Sequence, residues 1–174
     1  EMKTPSAHAD HPLLRRIREL ADEAMLQDVD MIFESSSTIL RASSFLFCLA
    51  SPVLHRMLCA QHLAASTDTV RSSRRSSSES QRYQLKLDDV DVGTFIKTLD
   101  LWCGKEHCPE MALGELQQLA GVADRFQISE VVCAVEDTLV LQLCVEICGD
   151  LLPWSGRCGM QRLEAETLKL AAER

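Results

Sequence analysis

The stretch WCGKEHC contains the residue types that bind zinc, because it places Cys103, His107 and Cys108 close together. Cys144 and Cys148 form a second pair, one helical turn apart. A structural zinc ion takes four ligands, which usually come from closely spaced pairs. The spacing from Cys103 to Cys108 is wider than that, and Cys144 and Cys148 fall on the apolar side of a predicted helix. We therefore predict no metal site and no bound cofactor.

Covalent catalysis would require a serine or cysteine nucleophile beside a positioned base. The five histidines are predicted to lie near the N-terminus, on a polar helix face or in loops; they occupy positions 8, 11, 55, 62 and 107. The sequence contains neither a G-x-S-x-G nucleophile motif nor a glycine-rich phosphate-binding loop. We therefore predict no catalytic residues and no enzymatic activity.

One segment is suited to covalent modification. Residues 66–82, STDTVRSSRRSSSESQR, include seven serines and four arginines, and Val70 is their only apolar residue. Because this segment cannot bury apolar surface, we predict a mobile loop. Ser76 and Ser77 follow two arginines, as in substrates of basophilic kinases, although Ser/Arg-rich segments also match that pattern by chance. A phosphate would add a charge of about −1.5 to −2, and we predict Ser76 and Ser77 as candidate phosphorylation sites.

Composition excludes several other classes of function. The chain has 174 residues, a net charge of −8 and 46% hydrophobic residues, which is sufficient for one compact domain plus extensions. A diffuse acidic charge disfavours nucleic-acid binding, which requires clustered Lys and Arg. The longest apolar run, Phe45–Ala50, is much shorter than a membrane span. We predict no nucleic-acid partner and no membrane association.

The cysteines indicate the compartment. Most of them occur within apolar patterns, where a free thiol behaves as a small hydrophobic side chain. The N-terminal stretch EMKTPSAHADHP lacks the apolar region of a secretory signal. We therefore predict reduced thiols and a cytoplasmic or nuclear location. The eight residues concerned are Cys48, Cys59, Cys103, Cys108, Cys133, Cys144, Cys148 and Cys158.

The periodicity of apolar residues predicts the elements of the first half. After a disordered N-terminus at 1–11, residues 12–25 have the spacing of an amphipathic helix. Residues 28–34 and 38–41 predict a β-hairpin whose first strand buries alternate side chains. The run Phe45–Ala50 is too short to assign. Ser51 as N-cap and Pro52 at the first helical position predict a short helix that follows.

The remainder alternates one strand with a series of helices. Residues 83–87, YQLKL, predict a strand. The next helix ends at Gly104, which is well suited to the residue after a helix. Further helices are predicted from Leu113 to Phe126, from an N-cap at Ser129 onward, over about 142–152 with an end at Pro153, and from Cys158 onward.

This order of elements resembles that of BTB/POZ domains. LQDVDMIFE matches the Asp-Val strand of the family, and ILRASSFLFCLASPVLHRML matches its helical hairpin with a central serine. LKLDDVDVGTFIKTLDLWCG matches the next block, and ELQQLAGVADRFQISEVVCAVEDTL is the most similar stretch. Ser43 and Trp102 stand where the family usually has His and Tyr, and the 66–82 loop is longer than usual.

The resemblance implies a fold and a domain organisation. The fold is an α+β, helix-dominated BTB/POZ fold, in which helical hairpins flank a small β-sheet. Residues 12–142 would form this domain. Residues 143–174 resemble the start of a BACK-like helical extension, which we predict to be truncated.

The resemblance also implies a function in protein–protein interaction. Many BTB domains form homodimers, in which the helix before the first strand lies in the interface. The residues that match this position are Leu13, Leu14, Ile17 and Leu20. The alternative is that these four side chains close the core of their own chain.

A second role in the family is that of a substrate adaptor for a cullin-RING ubiquitin ligase, with the substrate bound by regions outside this chain. The candidate cullin surface is His55, Met57, His62, Leu63, Trp102 and Gly104. For Met57 core packing is the alternative, and His55 and His62 could be ordinary exposed residues. Cullin binders often carry an apolar-x-Glu motif here. In this chain Leu63 matches the apolar residue, but Ala65, two residues further on, stands where Glu would be. The other interpretations are a dimerising, co-repressor-recruiting module of a transcriptional regulator, and a scaffold that binds no cullin.

Overall fold

The structure, a computed structural model, describes residues 16–17, 19–20, 23–69 and 82–172. Its sheet has three strands, β1 Val29–Phe33, β2 Thr38–Ala42 and β3 Tyr83–Leu87, in the order β2–β1–β3. β1 pairs antiparallel with β2 and parallel with β3. Alternate residues of β1 are buried, as the sequence pattern predicts.

Helices surround this sheet, and the prediction of a helix-dominated α+β fold is confirmed. Short 3-10 turns occur at Ala24–Leu26 and Cys108–Glu110. The helices are α1 Ser44–Ala50, α2 Pro52–Thr69, α3 Val92–Trp102, α4 Leu113–Phe126, α5 Ser129–Gln142, α6 Val145–Arg157 and α7 Gln161–Ala172.

Phe95 of α3 lies at the centre of the core. Its ring makes edge-to-face contacts with Phe33 of β1 at 5.5 Å, Phe47 of α1 at 6.3 Å and Phe126 of α4 at 5.3 Å between ring centroids. Aromatic rings favour this geometry because the positive edge of one ring meets the negative face of another. One side chain therefore joins the sheet to three helices.

Ser51, the residue between α1 and α2, is buried and has two hydrogen-bond partners. Its hydroxyl oxygen accepts a hydrogen bond from the amide of Leu54 at 3.0 Å, which confirms the predicted N-cap. The hydroxyl also donates to the carbonyl of Phe126 at 2.5 Å. Ser51 thus links the first turn of α2 to the last turn of α4.

Gly104 takes the predicted position after α3. Its φ angle is 71°, in the left-handed region that favours glycine. The amide of Gly104 donates to the carbonyl of Leu101 at 3.0 Å, and the amide of Lys105 donates to that of Asp100 at 2.7 Å. These bonds satisfy carbonyls that the end of a helix would otherwise leave without partners.

Several predicted boundaries are wrong. The helix predicted over 12–25 does not include Glu23 and is followed by the 3-10 turn, and the helix predicted from Cys158 begins at Gln161. α2 continues to Thr69, so the first residues of the predicted 66–82 loop, 66–69, are helical; residues 70–81, which include Ser76 and Ser77, lie outside the described residues. Ser129 is the first residue of α5 and makes no capping hydrogen bond, and Ile128 is the N-cap. Pro153 lies inside α6, which continues to Arg157 because the helix is anchored by side chains on both sides of the proline, including buried Leu151 and Ser155.

The prediction that most cysteines lie within the apolar interior is also wrong. Only Cys103 and Cys108 are buried, and Cys148 and Cys158 are half-buried. The other four are exposed, because they lie on outer faces or ends of helices whose apolar residues are not all directed inward. All eight are free thiols.

The last two helices belong to the same core as the rest of the domain. Leu151, Met160 and Leu163 are buried in the cluster that contains the residues of β1. The Glu136 carboxylate on α5 accepts hydrogen bonds from the amides of Arg162 at 2.9 Å and Leu163 at 3.1 Å. These amides lie in the first turn of α7, so Glu136 caps this helix from a neighbouring one.

Candidate functional site

Two exposed apolar side chains lie on the same side of α1. Phe45 is 57% exposed and Leu49 is 48% exposed, and the two are one helical turn apart. Cys48 is exposed on the same side, whereas Phe47 and Ala50 are directed into the core. We call Phe45, Cys48 and Leu49 the α1 face. Sequence analysis missed it, because a continuous apolar run does not show which side is buried.

Further exposed apolar residues lie close to α1 along the chain. Ile39 of β2 is 60% exposed, and Met25, in the turn before β1, is 95% exposed. Leu26 is 41% exposed. Isolated exposed apolar residues are common in soluble proteins, so it is the α1 face that supports an interaction surface.

Asp28 fixes the start of α1 relative to β1. Its carboxylate accepts hydrogen bonds from the Ser44 amide and the Ser44 hydroxyl, each at 2.7 Å. Both bonds are made by a charged acceptor, which makes them stronger than neutral ones. Asp28, the first Asp of the sequence motif LQDVDMIFE, thus positions the helix that carries the α1 face.

Cys48 is a free thiol on this face. Desolvation raises the pKa of Cys48, and electrostatic interactions with Cys59 and Asp28 raise it further. A thiol whose pKa is raised is a poorer nucleophile at neutral pH. Cys48 therefore acts as an apolar member of the α1 face.

The predicted N-terminal dimer helix is described only in part. Residues 16–17 and 19–20 are helical. Ile17 is 6% exposed and Leu20 is half-buried, while Arg16 and Glu19 form an exposed ion pair at 2.9 Å. The amphipathic pattern is present at these positions. Leu13 and Leu14 lie outside the described residues, and the role of all four leucine and isoleucine residues in a dimer stays a prediction.

The predicted cullin surface divides between two helices. On α2, His55 and His62 are exposed, and Met57 is half-buried against the core. The ring of His62 lies 6.2 Å from that of Tyr83 in β3. Leu63 lies in α2 one residue further on.

The remaining two residues of that surface lie at the end of α3 and just after it. Trp102 is half-buried and packs against the core, so part of its ring is accessible. Gly104 follows in its left-handed conformation. The packing of Met57 and Trp102 agrees with a structural role for each and leaves only part of each side chain for a partner.

Within the described ranges, no group of three or more His, Cys, Asp or Glu side chains could hold a metal ion. Burial raises the pKa of the Cys108 thiol, a member of the WCGKEHC stretch, and a side-chain hydrogen bond with Thr138 lowers it to a smaller extent. None of the helices in the part of the chain that the structure describes has the length and apolarity to cross a membrane.

The fold can be compared with solved structures. No family model matches the sequence, and no curated protein matches it. The structure is similar to that of a BTB (Tramtrack and Bric a brac) domain, which shows that the chain has a BTB-like fold. The particular domain is that of human gigaxonin, with a TM-score of 0.50 and 12% sequence identity. The similarity covers 78% of this chain and 94% of the gigaxonin domain chain.

Proposed function

We propose that this chain is a BTB/POZ protein-interaction module that forms a homodimer and serves as a substrate adaptor of a cullin-RING ubiquitin ligase. The observation that supports the dimer most directly is the α1 face. Water-exposed Phe45 and Leu49 project from a helix that Asp28 and the core hold in place. The BTB-like fold supports the wider assignment.

A second copy is a suitable occupant of the α1 face. Complete burial of a Phe or Leu side chain contributes about 1.5–3 kcal/mol, so covering the exposed half of each would contribute about 1 kcal/mol. In a two-fold contact every residue is used twice, which doubles the gain. We propose that Leu13, Leu14, Ile17 and Leu20 of the N-terminal helix complete this interface. Because Ile17 is already buried in the single chain, Leu20 is the better candidate of the two described residues.

Phe45→Glu is expected to convert the dimer into a monomer, because it places a charge at the centre of the contact. The measurement is light scattering after size-exclusion chromatography of dilute protein, where the mass should fall from twice 19.4 kDa to 19.4 kDa. Leu168→Glu is the matched control, since Leu168 is 50% exposed on α7. A wild-type monomer, or a dimer that survives Phe45→Glu with unchanged circular dichroism, would contradict the proposed dimer.

For the cullin we propose a surface formed by residues of α2 and of the end of α3. Its members are His55, Met57, His62, Leu63, Trp102 and Gly104. The exposed imidazoles and the accessible part of Trp102 support this choice. Ala65, which stands where cullin binders often have Glu, favours the second candidate function: a dimerising module of a transcriptional regulator that recruits co-repressors, or a scaffold without a cullin.

Mixing the protein with a cullin N-terminal domain is expected to give co-elution in size-exclusion chromatography. Leu63→Asp should weaken this binding about tenfold or more, because it introduces a charge into a buried contact. Leu168→Asp, on α7, should leave it unchanged. If the wild-type protein is a dimer that does not co-elute with the cullin, the transcriptional or scaffold function becomes the better interpretation. Kelch repeats in the complete protein would favour the adaptor, and C2H2 zinc fingers the regulator.

A further inference from the structure

We infer that the outer edge of β2 pairs with the same edge of a second copy, so that two three-stranded sheets join across a two-fold axis. In the described part of the chain β2 pairs with β1 alone and ends the sheet. An edge strand presents unpaired amides and carbonyls that form a template for another strand. This contact is on a different element from the α1 face.

The opposite edge of the sheet is covered. The side-chain amide of Gln61 on α2 donates a hydrogen bond to the Gln84 carbonyl of β3. The His62 ring contacts Tyr83, also on β3. The two edges thus differ, since α2 protects β3 and the extensive contacts of β2 are with β1.

β2 lacks the features that usually prevent edge pairing. Its sequence, TILRA, contains no proline, and its register with β1 is continuous without a bulge. The single charge, Arg41, lies opposite Asp30, and its Nε is 3.7 Å from the Asp30 Oδ1. Proline, bulges and unpaired charges are the common protections of edge strands.

Charge and polarity select the register of the proposed pairing. Residues directly opposite one another in antiparallel strands share a face of the sheet, so the two-fold axis must pass beside Ile39, Leu40 or Arg41. Centring on Arg41 would set two guanidinium groups opposite each other, which is unfavourable. Centring on Leu40 would leave them diagonal neighbours.

Centring on Ile39 removes this repulsion. The strand pairing then covers residues 38–40, and Arg41 lies beside the turn before β2 of the second copy, where Ser37 has a φ of 52°, and keeps its own partner, Asp30. Ile39 lies opposite the second copy's Ile39, and each Ile39 is already paired with Ile32 on β1. A continuous row of four isoleucines would cross the joined sheet, and it would cover the 60% exposed Ile39 side chain. This self-complementarity is why we assign the edge to a second copy.

The small area of the β2–β2 contact determines how strongly it can hold two copies together. A pair of five-residue strands buries less than the roughly 800 Å² per partner of a standard interface, so it would be weak by itself. It therefore rests on the proposed function: a dimer formed by the α1 face carries two β2 edges, and pairing of both strengthens the assembly. Two different two-fold contacts on one chain generate species larger than a dimer.

The test is light scattering over a range of protein concentrations, with Ile39→Lys and the matched control Leu168→Lys. The wild-type protein and the control should reach about four times 19.4 kDa, and Ile39→Lys should halve that mass. A wild-type protein that never exceeds the dimer mass and is unaffected by Ile39→Lys would overturn the inference. So would a larger species that survives Ile39→Lys.

Hydrogen exchange provides the second measurement. The amides of residues 38–40 that point away from β1 should exchange more slowly in concentrated than in dilute wild-type protein, and Ile39→Lys should abolish this difference. The variant Phe45→Glu separates the two proposals. If it leaves the wild-type mass unchanged while Ile39→Lys lowers it, the α1 dimer fails and the β2 contact stands. The reverse result overturns the β2 contact alone, and a monomer at every concentration overturns both.

Discussion

Phe95→Ala is expected to lower the free energy of unfolding by about 3–5 kcal/mol, the cost of removing a large aromatic side chain from a packed core. The effect should be near the upper end, because the Phe95 ring contacts Phe33, Phe47 and Phe126 on three different elements. Removal leaves a cavity that none of these elements can close without moving relative to the others. Urea denaturation followed by circular dichroism measures the change.

The control for this experiment is Leu168→Ala. Leu168 is a large apolar side chain that is 50% exposed on α7, outside the proposed interfaces. Its substitution should change the free energy of unfolding by about 0.5 kcal/mol or less, as is usual for surface positions. Equal losses for Phe95→Ala and Leu168→Ala would show that the aromatic cluster is not the centre of the core.

Ser51→Ala is expected to cost about 2–3 kcal/mol, although it removes a single oxygen atom. The amide of Leu54 and the carbonyl of Phe126 would both lose their hydrogen-bond partner in a buried site. A buried polar group without a partner costs about 1–3 kcal/mol. Thermal or urea unfolding of the purified protein measures the loss.

Ser129→Ala provides the comparison for Ser51→Ala. Ser129 also lies at the start of a helix, but its side chain makes no capping hydrogen bond and the residue is exposed. Its substitution should stay within about 0.5 kcal/mol of wild type. A small effect at Ser51, similar to that at Ser129, would mean that the link between α2 and α4 does not contribute to stability.

The strands and several helix ends could be predicted from the sequence because local chemistry determines them. Alternation of apolar residues identified β1 and β3, since a strand with one buried face alternates by geometry. Gly104 marked the end of α3 because few other residues adopt its φ angle. These signals depend on neighbouring residues only.

The features that the sequence did not predict depend on tertiary contacts. The chain of α6 passes through Pro153 because the core holds Leu151 and Ser155, and no local signal reports that packing. The continuous apolar sequence of α1 conceals that Phe45 and Leu49 face solvent while Phe47 faces Phe95. The candidate site was therefore only partly predictable: the α2 and α3 residues came from a family resemblance, and the α1 face came from the structure.

The capping of α7 by Glu136 has a consequence for where the chain can be divided. A protein shortened to end with α5 would remove Leu151, Met160 and Leu163 from the buried cluster, and it would leave the Glu136 carboxylate without the two amides it binds. Residues 145–172 thus share the interior of the strand-bearing part and complete it. Within the described residues the buried cluster continues through α7, on both sides of the point at which the family resemblance places a domain boundary.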